Sequence, residues 1–205
     1  MTNKNNPALI FDFGGVVIDI DFNLALQNWA KLSELSISEM LERFKMDSAY
    51  KKHETAKMSW DDYVEHLRQS LQLNGSDEEI LSGWNSIFKE QVPDVVEAIR
   101  SIGEKTKCSL LSNSNVAHQA FWENKYSELL PLFSNVFVSS EIGLRKPDPD
   151  CFEYLLDKLN IEARDAIFFD DTYENIVAGR KFGIASVHVK SSDDVVSKLG
   201  ELGLL

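Results

Sequence analysis

The chain has 205 residues and a mass of 23.2 kDa, which predicts one medium core with an insertion, or a single larger domain. Hydrophobic residues make up 43% and charged residues 26%, an ordinary globular balance that excludes a disordered or fibrous chain. The net charge of −12 describes a surface that repels polyanions, which argues against nucleic-acid binding and against docking on an anionic membrane.

The first strand is predicted over 8–12 (Ala-Leu-Ile-Phe-Asp), an apolar run ending in an acid ahead of Gly14 and Gly15. Residues 16–20 form a second extended stretch. From Phe22 to about Glu90 apolar residues recur at helical spacing alone. Phe22, Leu26 and Trp29 share one face, as do Ile37, Met40, Leu41 and Phe44. Ser59 opens the run Trp60, Tyr63, Val64, Leu67 and Leu71, and Ser76 with Glu79 is a capping box before Ile80, Trp84, Ile87 and Phe88. An all-helical block between strand-like segments predicts an inserted module over 21–90, with 1–20 and 91–205 as the core.

After Pro93 helices and strands alternate: helix 94–102, strand 108–111, helix 116–126 and strand 136–138. There follow a helix with Phe152, Leu155, Leu156 and Leu159 on one face, strand 166–169, helix 173–182 stopped by Gly183, strand 184–189 and a last helix capped by Ser192. The predicted fold class is α/β, a Rossmann-like doubly wound parallel sheet of five strands covered on both faces. The four tryptophans fall among apolar neighbours and are expected to pack, Trp122 being the one that follows the Ser-Asn loop.

The two cysteines, Cys108 and Cys151, lie outside any CxxC pattern, and the histidines at 53, 66, 118 and 188 form no metal-type cluster with them. This predicts a reduced chain without structural zinc, in which Cys108 is inert and Cys151 partly exposed. The polar start has no signal-peptide pattern and no window approaches a membrane span, so a cytoplasmic protein is expected, as a monomer.

Ligands of open parallel sheets gather at the carboxyl ends of the strands. That edge collects Asp12, the run Ser112-Asn113-Ser114-Asn115, Lys146 within Arg145-Lys146-Pro147, and Asp170-Asp171 with Asn175 nearby. Taken singly these are a turn acid, a loop, a surface lysine and a helix cap. Together the acids repel unless a divalent cation sits between them, and an oxygen-only donor set points to Mg²⁺ rather than zinc.

This constellation resembles the haloacid dehalogenase superfamily, with four motifs in order and a helical cap between the first and second. Within it, residues 18–23, 111–115, 120–122, 144–147 and 168–171 are similar to the bacterial alpha-D-glucose-1-phosphate phosphatase group of subfamily IA, cap type C1. The resemblance implies a Mg²⁺-dependent phosphatase acting on a small phosphorylated metabolite, a sugar phosphate such as a hexose 1-phosphate. It implies Asp12 as the nucleophile of an aspartyl-phosphate intermediate. Asp12, Asp171 and the Gly14 carbonyl would hold Mg²⁺, supported by Asp170. Ser112, Asn113 and Lys146 would bind the phosphoryl oxygens, with Lys146 also screening Asp12 from Asp171.

One departure concerns position 14, where the superfamily usually carries a second Asp as general acid and base; here it is Gly14, as in the glucose-1-phosphate phosphatase group. An anomeric hydroxyl is acidic enough to leave with less help. His53 and Glu54 are candidates for the missing base, His53 being better tuned to neutral pH and a candidate substrate contact. The ordinary alternative for both is an exposed polar helix end. Two other functions share these residues: a metal-independent haloacid dehalogenase, against which the Asp170-Asp171 pair argues, and a catalytically impaired binding protein disabled at Gly14.

Overall fold

The computed structural model describes residues 6–205. In chain order the elements are β1 (Ala8–Phe11), β2 (Ile18–Ile20), α1 (Phe22–Trp29), α2 (Ile37–Arg43), α3 (Ser48–Glu54), α4 (Trp60–Leu71) and α5 (Asp77–Asn85). These are followed by β3 (Phe88–Gln91), α6 (Pro93–Ile102), β4 (Cys108–Ser112), α7 (Val116–Lys125), β5 (Asn135–Val138) and α8 (Ser139–Ile142). The chain ends with α9 (Pro149–Leu159), β6 (Ala166–Asp170), α10 (Tyr173–Lys181), β7 (Ala185–His188) and α11 (Ser192–Glu201).

Five strands pair in parallel in the order β5-β4-β1-β6-β7, the doubly wound Rossmann-like sheet expected from the alternation. Side chains alternate across it with period two. Leu9 and Phe11 pack on one face with Val95, Ile99, Trp122, Val195 and Leu199 from α6, α7 and α11. Ile10 packs on the other with Phe152, Leu155 and Ile176 from α9 and α10. Burial on both faces is why the strands read as continuous apolar runs.

Helices α1 to α5 build a second core around Trp29, Tyr63 and Trp84. The Trp29 and Trp84 rings stack with centroids 5.4 Å apart, and Trp29 Nε1 donates to the Ile80 carbonyl at 2.9 Å. Ser36, Ser59 and Ser76 cap their helices by accepting from backbone N–H groups, satisfying otherwise orphaned donors. The flanking strands β2 and β3 pair antiparallel, Ile20 opposite Phe88, and Asp21 N donates to the Ile87 carbonyl at 2.8 Å.

The structure departs from the sequence pattern in several places. Residues 88–91, expected to end a helical block, form β3, because the helix stops where Ser86 Oγ bonds the Gly83 carbonyl at 2.6 Å. Ile37 and Leu41 are about half exposed while Met40 is buried, since the short α2 lends only one row to the core. Val16 and Val17 lie in a turn, where the Val17 and Ile18 N–H groups both donate to the Phe13 carbonyl, so the strand begins at Ile18. Ser191, not Ser192, caps the last helix. Cys151 is fully buried rather than partly exposed; burial pushes its thiol up to about 11 and that of Cys108 up to about 12.

Candidate active site

Asp12 follows β1 at the carboxyl edge of the sheet. Its N–H donates to the Phe169 carbonyl at 2.8 Å, which carries the β1–β6 register one step past the paired strands and sets Asp12 beside Asp170, the last residue of β6. Ser112 ends the neighbouring strand β4 and is buried. The central carboxylate therefore has the ends of both adjacent strands at its sides.

Lys146 comes from the loop between α8 and α9, and its side chain is fully buried. Nζ donates to Asp170 Oδ2 at 2.7 Å and to the Leu111 carbonyl at 2.8 Å, and lies 2.9 Å from Asp12 Oδ1. An ammonium has three donors, and all three are thus committed. Burial works against the charge on Lys146, but the Asp12 and Asp170 carboxylates outweigh it and raise the ammonium above its ordinary range. Asn113 holds the lysine backbone from both sides: Nδ2 donates to the Lys146 carbonyl at 2.8 Å, and Oδ1 accepts from its N–H at 2.9 Å. The Asn113 side-chain amide thus holds the Lys146 backbone in place.

The three acids differ in their company. Asp170 is fully buried and saturated, accepting from Lys146 Nζ, from Thr172 N at 2.8 Å and from Asn175 Nδ2 at 3.0 Å. Asp12 Oδ1 accepts from Phe13 N at 2.7 Å as well as from Lys146. The Asp171 carboxylate is exposed and, among the described residues, takes only the Thr172 hydroxyl at 3.3 Å, while His188 Nε2 donates to the Asp171 carbonyl at 2.9 Å. One oxygen from each acid lies within 4.8 Å of the others. Burial raises the Asp12 carboxyl well above its usual range, Lys146 opposes this, and the charges of Asp170 and Asp171 add to it. Burial and then Asp170 raise Asp171 as well. Carboxylates that resist ionising together, offering only oxygen, fit a hard divalent cation.

The glycines after Asp12 have separate reasons. Gly15 has φ +82° and a Cβ there would collide with the Asp171 carboxylate, so only glycine suits the turn and the close approach. Gly14 has ordinary φ, and a Cβ there would meet Ile20 Cδ1 at 2.9 Å.

His53 and Glu54 are both buried, not an exposed helix end. His53 stacks on Tyr63 with centroids 4.4 Å apart and donates from Nδ1 to the Met58 carbonyl at 3.2 Å. Its Nε2 is buried and has no hydrogen-bond partner among the described residues, and burial lowers the imidazole from its ordinary value. Glu54 is ion-paired to Arg145 Nε at 2.7 Å. Trp122 packs, as expected, with Nε1 donating to Ser114 Oγ at 3.1 Å. Sequence reasoning passed over Ser139, at the end of β5. Its hydroxyl accepts from Ser114 N at 2.8 Å and reaches the Glu54 carbonyl at 2.7 Å. A polar residue directly after the third strand of the sheet was the available signal.

Residues 7–183 match the haloacid dehalogenase-like hydrolases. The chain belongs to that family. Among haloacid dehalogenase-like proteins, D-ribitol-5-phosphate phosphatase of Bacteroides thetaiotaomicron is 26% identical over 191 residues, 91% of this chain and 93% of its own. Sesquiterpene phosphatase astK of Aspergillus oryzae is 27% identical over 202 residues, 95% of each chain. A crystal structure of a haloacid dehalogenase family enzyme of B. thetaiotaomicron, in complex with magnesium and inorganic phosphate, superposes with a TM-score of 0.78 at 24% identity, covering 90% of this chain and 94% of that one. At 16% identity, L-2-haloacid dehalogenase of Xanthobacter autotrophicus, with chloropropionic acid covalently bound, superposes at 0.62 over 96% of this chain and 83% of its own, so the fold is shared with that dehalogenase. Among the described residues no helix is long and apolar enough to cross a membrane.

Proposed function

We propose that this hydrolase is a Mg²⁺-dependent phosphatase of a small sugar or polyol phosphate, working in the cytoplasm through an aspartyl-phosphate on Asp12. The observation that carries the reading is the fully buried Lys146 bridging Asp12 and Asp170, with the Asp171 carboxylate left uncompensated beside them. Asp12, Asp171 and the Gly14 carbonyl would hold the metal, with Asp170 behind them. When bound, Mg²⁺ offsets the repulsion between the carboxylates and an incoming phosphate.

Two donors, Lys146 Nζ and Phe13 N, hold Asp12 Oδ1, so Oδ2 is the oxygen left to attack phosphorus. The P–O bond to Asp12 forms as the bond to the alcohol breaks, and water then hydrolyses the acyl-phosphate. The alcohol must leave without an acid at position 14, which suits good leaving groups such as an anomeric oxygen. Ser112 borders the phosphoryl group, and the helices over 21–90 act as the cap that shields it. His53, with Nδ1 donating to a carbonyl, has Nε2 as its acceptor nitrogen, and because that nitrogen is buried it would meet a substrate hydroxyl only when the helical segment shifts.

The test is phosphate release from sugar 1-phosphates, sugar 6-phosphates and polyol 5-phosphates, with Mg²⁺ and with EDTA, by the parent and by Asp12→Asn. Metal-dependent release that disappears in Asp12→Asn is expected. Appreciable turnover by Asp12→Asn would sink the covalent step. Chloride release from 2-chloropropionate in EDTA would establish the dehalogenase reading instead.

A further inference from the structure

Helix α3 ends against the loops of the site. The Glu54 carbonyl accepts from Ser139 Oγ, which also receives the Ser114 N–H, and its carboxylate takes Arg145 Nε at 2.7 Å. Glu54 is nearly sealed, with a side chain 5% exposed, while Arg145 keeps 15% of its side chain open. Arg145 immediately precedes Lys146, and Glu54 lies close enough to feel the Lys146 charge. The ion pair therefore stands where the helical segment meets the lysine loop.

The cations at this edge are unequal. Lys146 has all three donors committed to Asp12, Asp170 and the Leu111 carbonyl. Arg145 donates only from Nε, and among the described residues neither terminal nitrogen donates a hydrogen bond. A guanidinium is a planar fork with five N–H donors, and a partner on Nε fixes the plane in which the other four lie. Lys146 Nζ reaches Asp12 and Asp170, whereas Arg145 Nε is turned to Glu54 at the end of α3, so its terminal nitrogens stand one residue from the lysine and beside the helical segment.

Resting on the phosphatase reading above, we propose that Arg145 is a specificity-determining residue that binds hydroxyl oxygens of a polyhydroxylated leaving alcohol through Nη1 and Nη2, and that Glu54 is the positioning residue that holds its fork. The ligand class is a linear or cyclic polyol phosphate, as opposed to an alkyl phosphate of equal length.

The test uses acetyl phosphate as reporter substrate in Mg²⁺, with D-ribitol 5-phosphate and n-pentyl phosphate as matched five-carbon competitors. In the parent, ribitol 5-phosphate should compete at least about tenfold better, the scale of a hydrogen bond to a charged group. Arg145→Gln should collapse that ratio, and Arg145→Lys, which keeps the charge but not the fork, should collapse it too, so the test survives if Arg145→Gln does not fold. Glu54→Gln should reduce the ratio and add nothing further in the double variant. Arg164→Gln, which breaks the exposed pair with Glu162 before β6, should leave both constants unchanged. A parent without the preference, or Arg145 variants in which both competitors weaken equally, would overturn the proposal. Absence of any phosphate release from acetyl phosphate by the parent would instead remove the phosphatase reading itself.

Discussion

Replacing Lys146 by methionine keeps most of the buried volume and deletes one charge. The deletion strips Asp12 Oδ1 and Asp170 Oδ2 of the ammonium 2.9 and 2.7 Å away; Asp170 is fully buried and cannot recruit bulk water, and Asp12 is only slightly open to it. Asp170 retains Thr172 N and Asn175 Nδ2, and Asp12 retains Phe13 N, but these are dipoles facing two net charges. Breaking a buried pair from one side costs about 3–5 kcal/mol, a large share of the roughly 5–15 kcal/mol that holds a domain together. The pH dependence follows by linkage. The Asp12 carboxyl is already raised by burial and by its acidic neighbours, and losing Lys146 raises it further. The folded variant then binds protons more readily than its unfolded chain, so its deficit should be largest near pH 7.5 and shrink toward pH 5. Added Mg²⁺ should shrink it too. Urea unfolding followed by circular dichroism at both pH values, for parent and Lys146→Met, reads the difference directly. A cost below about 1 kcal/mol at pH 7.5, or a deficit that grows on acidification, would refute the reasoning.

The two acids of β6 should separate by assay. Asp171→Asn is expected to weaken Mg²⁺ binding about tenfold or more in calorimetry with little change in the urea midpoint, whereas Asp170→Asn should cost about 1–3 kcal/mol of stability by unbalancing its hydrogen bonds. His118 is buried, donates from Nε2 to the Trp84 carbonyl at 3.2 Å, and is lowered to about 3 by burial. With an unfolded value near 6.5, its share of stability is complete above that pH and falls by about 2 kcal/mol on going down to pH 5. His118→Gln should flatten that part of the stability profile, and an unchanged profile would show that the ring charges inside the fold. Gly15→Ala should cost about 1 kcal/mol or more through the positive φ alone and should weaken Mg²⁺ binding by displacing Asp171.

The sheet was legible because its strands are buried on both faces and end in conspicuous acids: Ile10, Phe168 and their neighbours leave no polar alternation to mislead, and Asp12 and Asp170 terminate adjacent strands. Helix α3 escaped because Ser48, Lys51, Lys52 and His53 break the apolar period, its core contribution being Ala49 and Tyr50. Strand β3 escaped because only pairing with Ile20 makes Phe88 a strand residue, a fact of tertiary structure. In the site, residue types announced the acids and the lysine, but not how their donors divide. That Asn113 serves Lys146, that Asp170 is saturated while Asp171 is not, and that Glu54 reaches Arg145 across 91 residues are consequences of distances that no local pattern carries.

The β2–β3 ribbon brings the two ends of the helical segment together, Ile20 facing Phe88 and Asp21 bonded to Ile87. The chain thus leaves and re-enters the sheet domain through one short hairpin stem. Because closing a loop grows costly only with the logarithm of its length, and because the helices carry an apolar centre of their own, this stem is a splice point. Exchanging what lies between residues 22 and 87 at this stem leaves the sheet pairing its own strands, but the replacement must also supply partners for Ser139, Arg145 and His118, which now bond Glu54 and Trp84.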